Sequence, residues 1–311
     1  MGTIITPPSR ITVLDELGDP DREHLASLVA DATCADGSSP LNEQSRLQLT
    51  GRHAGVGHVL AHDDADVLVG YAQLEQAPDA ATVELVVSPQ HRRRGVGSAL
   101  ADRILVDTAG RPVQAWAHGT TPAAEAFAAH TGFEPVRRLL QLGRPIDDRD
   151  PLTPPAPVPA GLRIRTFLPG RDEAAWLRVN SAAFASHPEQ GRWTRDDLAA
   201  RETEDWFDPA GFFLAETTAE PARVVGFHWT KQDGVAGEVY VLGIDPSTQG
   251  SGLGRILLRT GLAYLRTRGC SVVDLYVEAD NIAARRLYER EGFEVYVTDT
   301  RYRHPAVQIS A

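Results

Sequence analysis

Val241-Leu-Gly-Ile-Asp-Pro-Ser-Thr-Gln-Gly-Ser-Gly-Leu-Gly-Arg255 contains an apolar run that stops at Asp245-Pro246 and then opens toward a helix through glycines at 250, 252 and 254. The pattern predicts a strand, a turn and a helix N-terminus. Glycines let backbone N–H groups approach a ligand closely, and the helix macrodipole puts partial positive charge at the same point, so the stretch reads as a pyrophosphate cradle. The phrase recurs upstream as Leu85-Val-Val-Ser-Pro-Gln-His-Arg-Arg-Arg-Gly-Val-Gly97, and Thr131-Gly-Phe-Glu134 echoes Glu291-Gly-Phe-Glu294. With Pro89 set against Pro246 the offset is 157 residues. A period that long means tandem domains, not a solenoid.

The length of 311 residues accommodates two such domains, each of about 150 residues and able to bury its own core. Between them, Arg144 to Gly161 holds six prolines and predicts an extended linker. The expected division is therefore an N-terminal domain over 1–143, a linker over 144–161 and a C-terminal domain over 162–311. In the first half a helix is expected near Asp21–Ala32, strands near Val67–Gln73 and Thr82–Val87, and helices from Gly95 and over Pro122–His130. In the second half strands are expected near Leu162–Phe167, Phe212–Glu216, Val224–Thr230, Glu238–Ile244, Val272–Glu278 and Phe293–Thr298. Helices are expected near Asp172–Ala183 and Arg195–Arg201, after the cradle, and over Asn281–Arg290. Each half is thus an α+β unit with a mixed, mostly antiparallel sheet flanked by helices.

The net charge of −11 argues against a nucleic-acid partner, since phosphate-tracking proteins carry a basic excess. Cys34 and Cys270 give neither a disulfide framework nor zinc spacing, which fits a reducing, cytoplasmic location. No run of about 20 apolar residues is present and the N-terminus lacks a signal peptide's apolar centre, so no membrane association is expected. The short myristoylation-like Met1-Gly-Thr-Ile-Ile-Thr6 arises readily by chance. His187 and His228 have no neighbouring ligand set, so no metal is expected. Trp193, Trp206 and Trp229 are expected in core packing rather than in a stacking site. A monomer is the expected state.

The glycines alone leave several readings open. A dinucleotide fold needs Gly-x-Gly-x-x-Gly, whereas Arg255 stands where a further glycine is required. A triphosphate loop needs Gly-Lys-Ser/Thr, which is absent. The glycines also suit a plain strand-to-helix turn. The cradle followed by Asn281-Ile-Ala-Ala-Arg-Arg-Leu-Tyr-Glu-Arg-Glu-Gly-Phe293 resembles the GCN5-related N-acetyltransferase superfamily. His187-Pro-Glu-Gln-Gly191, Trp206-Phe-Asp-Pro209, Phe227-His-Trp-Thr-Lys231, Gly237-Glu-Val-Tyr-Val-Leu-Gly243 and Trp116-Ala-His-Gly119 are similar to its tandem-domain branch that completes mycothiol.

The resemblance implies two tandem domains of that superfamily, acetyl-CoA as co-substrate and a small-molecule acceptor. That acceptor is desacetylmycothiol, the cysteinyl amine of a cysteinyl-glucosaminyl-inositol. It implies a coenzyme site formed by Leu242, Gly243 and Ile244, by Gln249, Gly250, Ser251, Gly252, Leu253, Gly254 and Arg255, and by Asn281, Ile282, Ala283, Ala284, Arg285 and Arg286. A second set in the first half comprises Leu85, Val86, Val87, Arg93, Arg94, Gly95, Val96, Gly97 and Ser98. Glu238 is expected as general base and Tyr288 as general acid, while Glu43, Glu189, Lys231, Glu238 and Tyr276 are implied to bind the acceptor.

Aligning the repeats puts Ala81 opposite Glu238 and Ala128 opposite Tyr288, so the first half is expected to bind without catalysing. Glu84 is its one alternative base, through a shifted geometry. An acceptor of another kind, such as an aminoglycoside, polyamine or protein N-terminus, remains open at this stage, as does an acetyl-CoA sensor without turnover.

Overall fold

The computed structural model describes residues 8–77, 79–108, 110–147, 157–185, 187 and 190–305. The chain separates into two compact units, one of Met1–Leu140, Glu278–Asp280 and Val297–Ala311, the other of Gln141–Val277 and Asn281–Tyr296.

Unit 1 runs through β1 (Arg10–Leu14), α1 (Asp19–Asp36), α2 (Glu43–Leu47), β2 (Val56–His62), β3 (Leu68–Gln76), β4 (Ala81–Val87), α3 (Val96–Asp107), β5 (Val113–Ala117) and α4 (Pro122–His130). Its sheet has the order β1-β2-β3-β4-β5. All neighbours are antiparallel except β4 and β5. Side chains alternate across the sheet, so Val59 joins a cluster with Leu100 and Ile104 of α3 while Leu60 joins one with Leu25 and Leu28 of α1.

Unit 2 contains β7 (Leu162–Thr166), α5 (Glu173–Ala183), α6 (Arg195–Glu202), β8 (Phe212–Thr217), β9 (Val224–Asp233), β10 (Ala236–Ile244), α7 (Leu253–Thr267), β11 (Val272–Glu278) and α8 (Ile282–Arg290). From β11 the strand order is β11-β10-β9-β8-β7. Only the β10–β11 pair is parallel among the registers of this unit. Its core is aromatic: Trp176 meets Phe227 at 5.2 Å and Trp229 at 5.9 Å, and Trp229 stacks on Phe212 at 4.5 Å. Trp193 and Trp206 pack at its margin, partly buried.

Helix α7 buries Leu253, Ile256, Leu257, Leu262 and Leu265, as an amphipathic helix laid on a sheet must. Its approach is close at Gly261, where an added Cβ falls 2.1 Å from the His228 ring and 2.9 Å from Thr230. His228 is fully buried with Nδ1 2.8 Å from the Leu257 carbonyl, and burial drives its pKa down to about 4, so the ring is neutral. Gly261→Ala gains about 1 kcal/mol in helix propensity but overpacks this contact at about 1–3 kcal/mol. A net loss of stability is expected, read as a lower urea midpoint; an unchanged or higher midpoint contradicts the packing.

Two strands not resolved by the sequence reading as a whole are β6 (Glu134–Pro145) and β12 (Glu294–His304). Arg144 and Pro145, expected in the linker, are the last residues of β6; residues 148–156 of that segment lie outside the described residues. The expected C-terminal domain also differs at its end, because Val297–Ala311 belongs to unit 1. There Thr300–His304 pairs antiparallel with β5, Asp299 accepts from the Gly119 amide at 2.7 Å and Phe133 meets His304 edge-on at 5.2 Å. Without this strand the edge of β5 would be open. Among the described residues no helix is long and apolar enough to cross a membrane, and no group of His, Cys, Asp or Glu is arranged to hold a metal ion.

Candidate active site

In unit 2, β10 ends at Ile244 and Asp245 accepts from the Ser247 amide at 3.0 Å, fixing the turn Pro246–Thr248. Gly250 and Gly252 follow at φ 78° and 83°, and a Cβ at either would meet nothing within 4 Å. Gly252 is the N-cap of α7 with no side-chain hydrogen bond, so no cap side chain satisfies the helix's first amides. These are the conditions a pyrophosphate requires, and the residues fit it.

The other cradle residues divide their work. Gln249 and Ser251 hold the loop through the carbonyls of Ile244 (3.3 Å) and Thr248 (2.7 Å), and Leu253 is core. Gly254 lies where a Cβ would touch Ile244 and Leu287 at 3.6 Å. Arg255 and Arg259 both donate through Nε to the buried Glu291, at 2.5 and 2.7 Å, which orients Arg255 at the helix entrance. On α8 the Asn281 Oδ1 accepts from the Ala284 amide at 3.1 Å, so Asn281 caps the helix, while Ile282, Ala283 and Arg286 are exposed and Ala284 and Arg285 partly buried.

A strand bulge separates the cradle from the expected base. The β9–β10 register slips between Val239 and Val241, leaving Tyr240 as the extra residue. Parallel pairing with β11 covers only Ala236–Glu238, so β10 has no register partner on β11 along Leu242, Gly243 and Ile244. An extended thioester arm can lie along such an edge and use its amides.

At the end of the paired segment Glu238 stands opposite Lys231 and beside Asp274. Burial pushes the Glu238 carboxyl up, Lys231 opposes this, and Asp274 adds to it. Lys231 places Nζ 5.0 Å above the Trp206 ring and 5.9 Å from that of Tyr240, and Tyr240 accepts from Arg201 at 2.8 Å. Tyr276 is exposed, its hydroxyl accepting from Gln141 at 2.9 Å.

Tyr288 is buried against Phe293, ring centroids 5.7 Å apart, and its hydroxyl has no hydrogen-bond partner among the described residues. Burial holds the phenol well above its ordinary value, so it is protonated at neutral pH. Glu238, Lys231 and Tyr276 therefore lie on paired strands of one sheet, and Tyr288 on α8 of the same unit. Glu189 and the Glu43 side chain lie outside the described residues. The sequence reading missed Asp274 and the Tyr296 hydroxyl that hydrogen-bonds to it; the only available signal was the parallel register that sets Asp274 beside Glu238.

Unit 1 repeats the cradle with altered chemistry. Arg93 takes a left-handed φ of 61° where unit 2 has Gly250, and Gly95 takes 84° where unit 2 has Gly252. Arg93 and Arg94 are exposed with no ion-pair partner among the described residues, whereas Arg92 is held by Asp36 through two 2.7 Å bonds. Val96 begins α3, and Gly97 leaves room for Phe127, 3.0 Å from an added Cβ. Leu85, Val86 and Val87 continue β4 beyond Val83, where pairing with β5 ends, and Ser98 stands where unit 2 has Arg255.

Glu84 is not placed to serve as a base. It is buried and accepts from the Asn42 amide (3.0 Å), the Asn42 side chain (2.5 Å) and His118 (3.3 Å). Although burial opposes its charge, His118 is pushed up to about 9 by hydrogen bonds to Asp299 and Glu84. A folded value above the ordinary 6.5 means that this contribution is complete below pH 6.5 and is lost as pH rises through 9. A falling denaturation midpoint between those values is expected, flattened in His118→Gln. An identical slope in the variant would remove the cation from this cluster.

The two units define the chain as a tandem acetyltransferase, and comparisons agree. The acetyltransferase (GNAT) family model matches residues 176–293 and a GNAT domain model matches residues 55–135. The chain is 51% identical over 294 residues to a mycothiol acetyltransferase of Thermomonospora curvata, covering 94% of this chain and 96% of that one. It is 50% identical over 292 residues to one of Thermobispora bispora, covering 91% and 96%. A GCN5-related N-acetyltransferase from Sphaerobacter thermophilus shares the fold at TM-score 0.72 and 23% identity, covering 98% and 99%. The protein is an acetyl-CoA-dependent N-acetyltransferase of the GNAT superfamily. Within it, the chain belongs to the mycothiol acetyltransferase family.

Proposed function

We propose that unit 2 transfers the acetyl group of acetyl-CoA to the cysteinyl amine of cysteinyl-glucosaminyl-inositol, giving mycothiol and CoA. The observation that carries this reading is the pair of candidate proton-transfer groups present within one unit. Glu238 has a raised carboxyl beside Lys231, and Tyr288 has a buried, protonated phenol with no partner among the described residues.

Acetyl-CoA supplies an activated acyl group as its thioester. The acceptor arrives as an ammonium and must lose a proton before it is nucleophilic, which is the role of Glu238. The amine then forms the N–C bond, amides along Leu242–Ile244 stabilise the negative charge on the acyl oxygen, and as the C–S bond breaks the Tyr288 hydroxyl gives its proton to the departing thiolate while the nitrogen's second proton restores the phenol. Lys231 and Tyr276 orient the polar head of the acceptor, with Glu189 as a further contact. The bare cradle holds the pyrophosphate through Gly250, Gly252 and the first amides of α7, and the unit 1 cradle holds a second coenzyme without turnover.

Specificity for the cysteinyl amine is tested with glucosaminyl-inositol, an aminoglycoside and a polyamine offered beside the cysteinyl compound. A kcat/KM for the cysteinyl acceptor at least a hundredfold above each alternative is expected. Preference for another amine would retain the acetyltransferase and remove the acceptor assignment; coenzyme binding without turnover on any amine would favour a sensor.

A further inference from the structure

Ala128 and Tyr288 occupy the same structural position. In unit 1 the Phe133 amide donates to the Ala128 carbonyl at 2.8 Å and the Thr131 amide to that of Phe127 at 3.0 Å. In unit 2 the Phe293 amide donates to Tyr288 at 3.0 Å and the Glu291 amide to Leu287 at 3.2 Å. The helix ends superimpose bond for bond, but one carries a methyl group where the other carries a phenol.

The missing ring leaves space. Unit 1 has a pocket, open on one side, of about 170 Å³ whose apolar walls include Val83, Leu85, Ile104, Ala115, Phe127 and Phe133, with Ala128 itself in the lining and Ser38 and His118 among its polar residues. Its lining takes in Val83 and Ala115, the last β4–β5 pair, and Leu85 beyond them, on the strand that leads to the unit 1 cradle. An apolar cavity of about 150 Å³ stays dry and takes up benzene, so this one has room for a short hydrocarbon chain. An acetyl methyl would fill little of it.

We propose that unit 1 is a binding site for coenzyme A thioesters with a longer acyl chain, of about four to six carbons, whose tail occupies this cavity. The proposal rests on the reading that the unit 1 cradle holds a coenzyme A pyrophosphate, for which the exposed Arg93 and Arg94, without an ion-pair partner among the described residues, and the left-handed Gly95 speak. The thioester is bound and not consumed. No phenol is present at position 128, and the polar lining residue His118 is engaged, with Nε2 3.3 Å from Glu84 and Nδ1 3.9 Å from Asp299. Asn42 occupies the same Glu84 carboxyl group.

Titration calorimetry on the full chain carrying Gly252→Asp, without an amine acceptor, isolates this site. The probes are CoA, acetyl-CoA, butyryl-CoA and hexanoyl-CoA. Each buried methylene tightens binding about fourfold, so butyryl-CoA is expected to bind about fifteenfold more tightly than acetyl-CoA. Ala128→Tyr should abolish that gain and leave CoA binding in place, and the smaller Ala128→Leu, which serves should Ala128→Tyr fail to fold, should reduce it. Equal affinity for acetyl-CoA and butyryl-CoA, or a gain that survives both substitutions, overturns the proposal while the cradle reading stands. Failure of CoA and every thioester to bind, or binding indifferent to Gly95→Asp, overturns both.

Discussion

Tyr288→Phe and Glu238→Gln are each expected to lower kcat by about 10²–10⁴-fold while leaving acetyl-CoA affinity nearly unchanged, because positioned proton transfer contributes about that much and neither side chain belongs to the cradle. Tyr288→Phe keeps the ring that packs on Phe293 and removes only a hydroxyl with no partner among the described residues, so folding is preserved. Rates within a factor of two of the parent in both variants would remove the assigned roles.

The same site makes a pH prediction. As the proposed base Glu238 would act when deprotonated, and its raised carboxyl is then expected to place the acid limb of kcat/KM above the ordinary carboxylate range. Activity therefore falls as pH drops through that elevated value. Asp274 contributes to the elevation by like-charge repulsion, so Asp274→Asn should move the limb to lower pH. A limb that stays fixed, or moves upward, contradicts the placement of Asp274 beside the base.

Gly252→Asp carries the second large effect. The position has φ 83° and open space around an added Cβ, so the new side chain would enter the volume proposed for the pyrophosphate without displacing protein atoms. A carboxylate about 4 Å from a phosphate costs on the order of 4 kcal/mol at an effective dielectric of 20, and ionic screening reduces this. KM for acetyl-CoA is expected to rise about tenfold to a hundredfold or more, with turnover at saturation less affected. The matching Gly95→Asp in unit 1 should leave turnover intact, and loss of activity there instead would exchange the roles of the two units.

Much of this arrangement was legible in local sequence. The cradle was marked by Asp-Pro followed by spaced glycines, and α7 by Leu253, Ile256, Leu257 and Tyr264 at helical spacing. Pro122 to His130 was bounded at both ends by a capping Thr and a terminal Thr-Gly, and the helix has those limits. Strand β2 was hidden because buried His58 and His62 interrupt its apolar pattern, His58 being satisfied by Tyr71 at 2.7 Å. The destination of the C-terminal strand was not legible at all. Whether Thr300–His304 joins the sheet of its own half or that of unit 1 depends on which strand edge is open, a non-local property.

At the site, Glu238 and Tyr288 came from a resemblance in motif, and the repeat alignment supplied the contrast with Ala128. The bulge at Tyr240 escaped because one extra residue in a strand leaves no compositional mark. It also explains why a gap-free alignment through Pro89 and Pro246 misstates by one residue what faces Glu238, since β3 and β4 pair without such a slip. Trp193 and Trp206 were expected as plain core; they are packed against Trp176 and Trp229, and Trp206 also carries Lys231 on its ring.

The most direct measurement is the product formed by the purified full chain from acetyl-CoA and cysteinyl-glucosaminyl-inositol, with released thiol counted alongside product mass. The account predicts one equivalent of coenzyme thiol per N-acetylated cysteinyl product, with a rate at subsaturating acetyl-CoA that falls about tenfold or more in Gly252→Asp and is retained in Gly95→Asp. Thiol release without that product, or product formation that depends on Gly95 and not on Gly252, would contradict it.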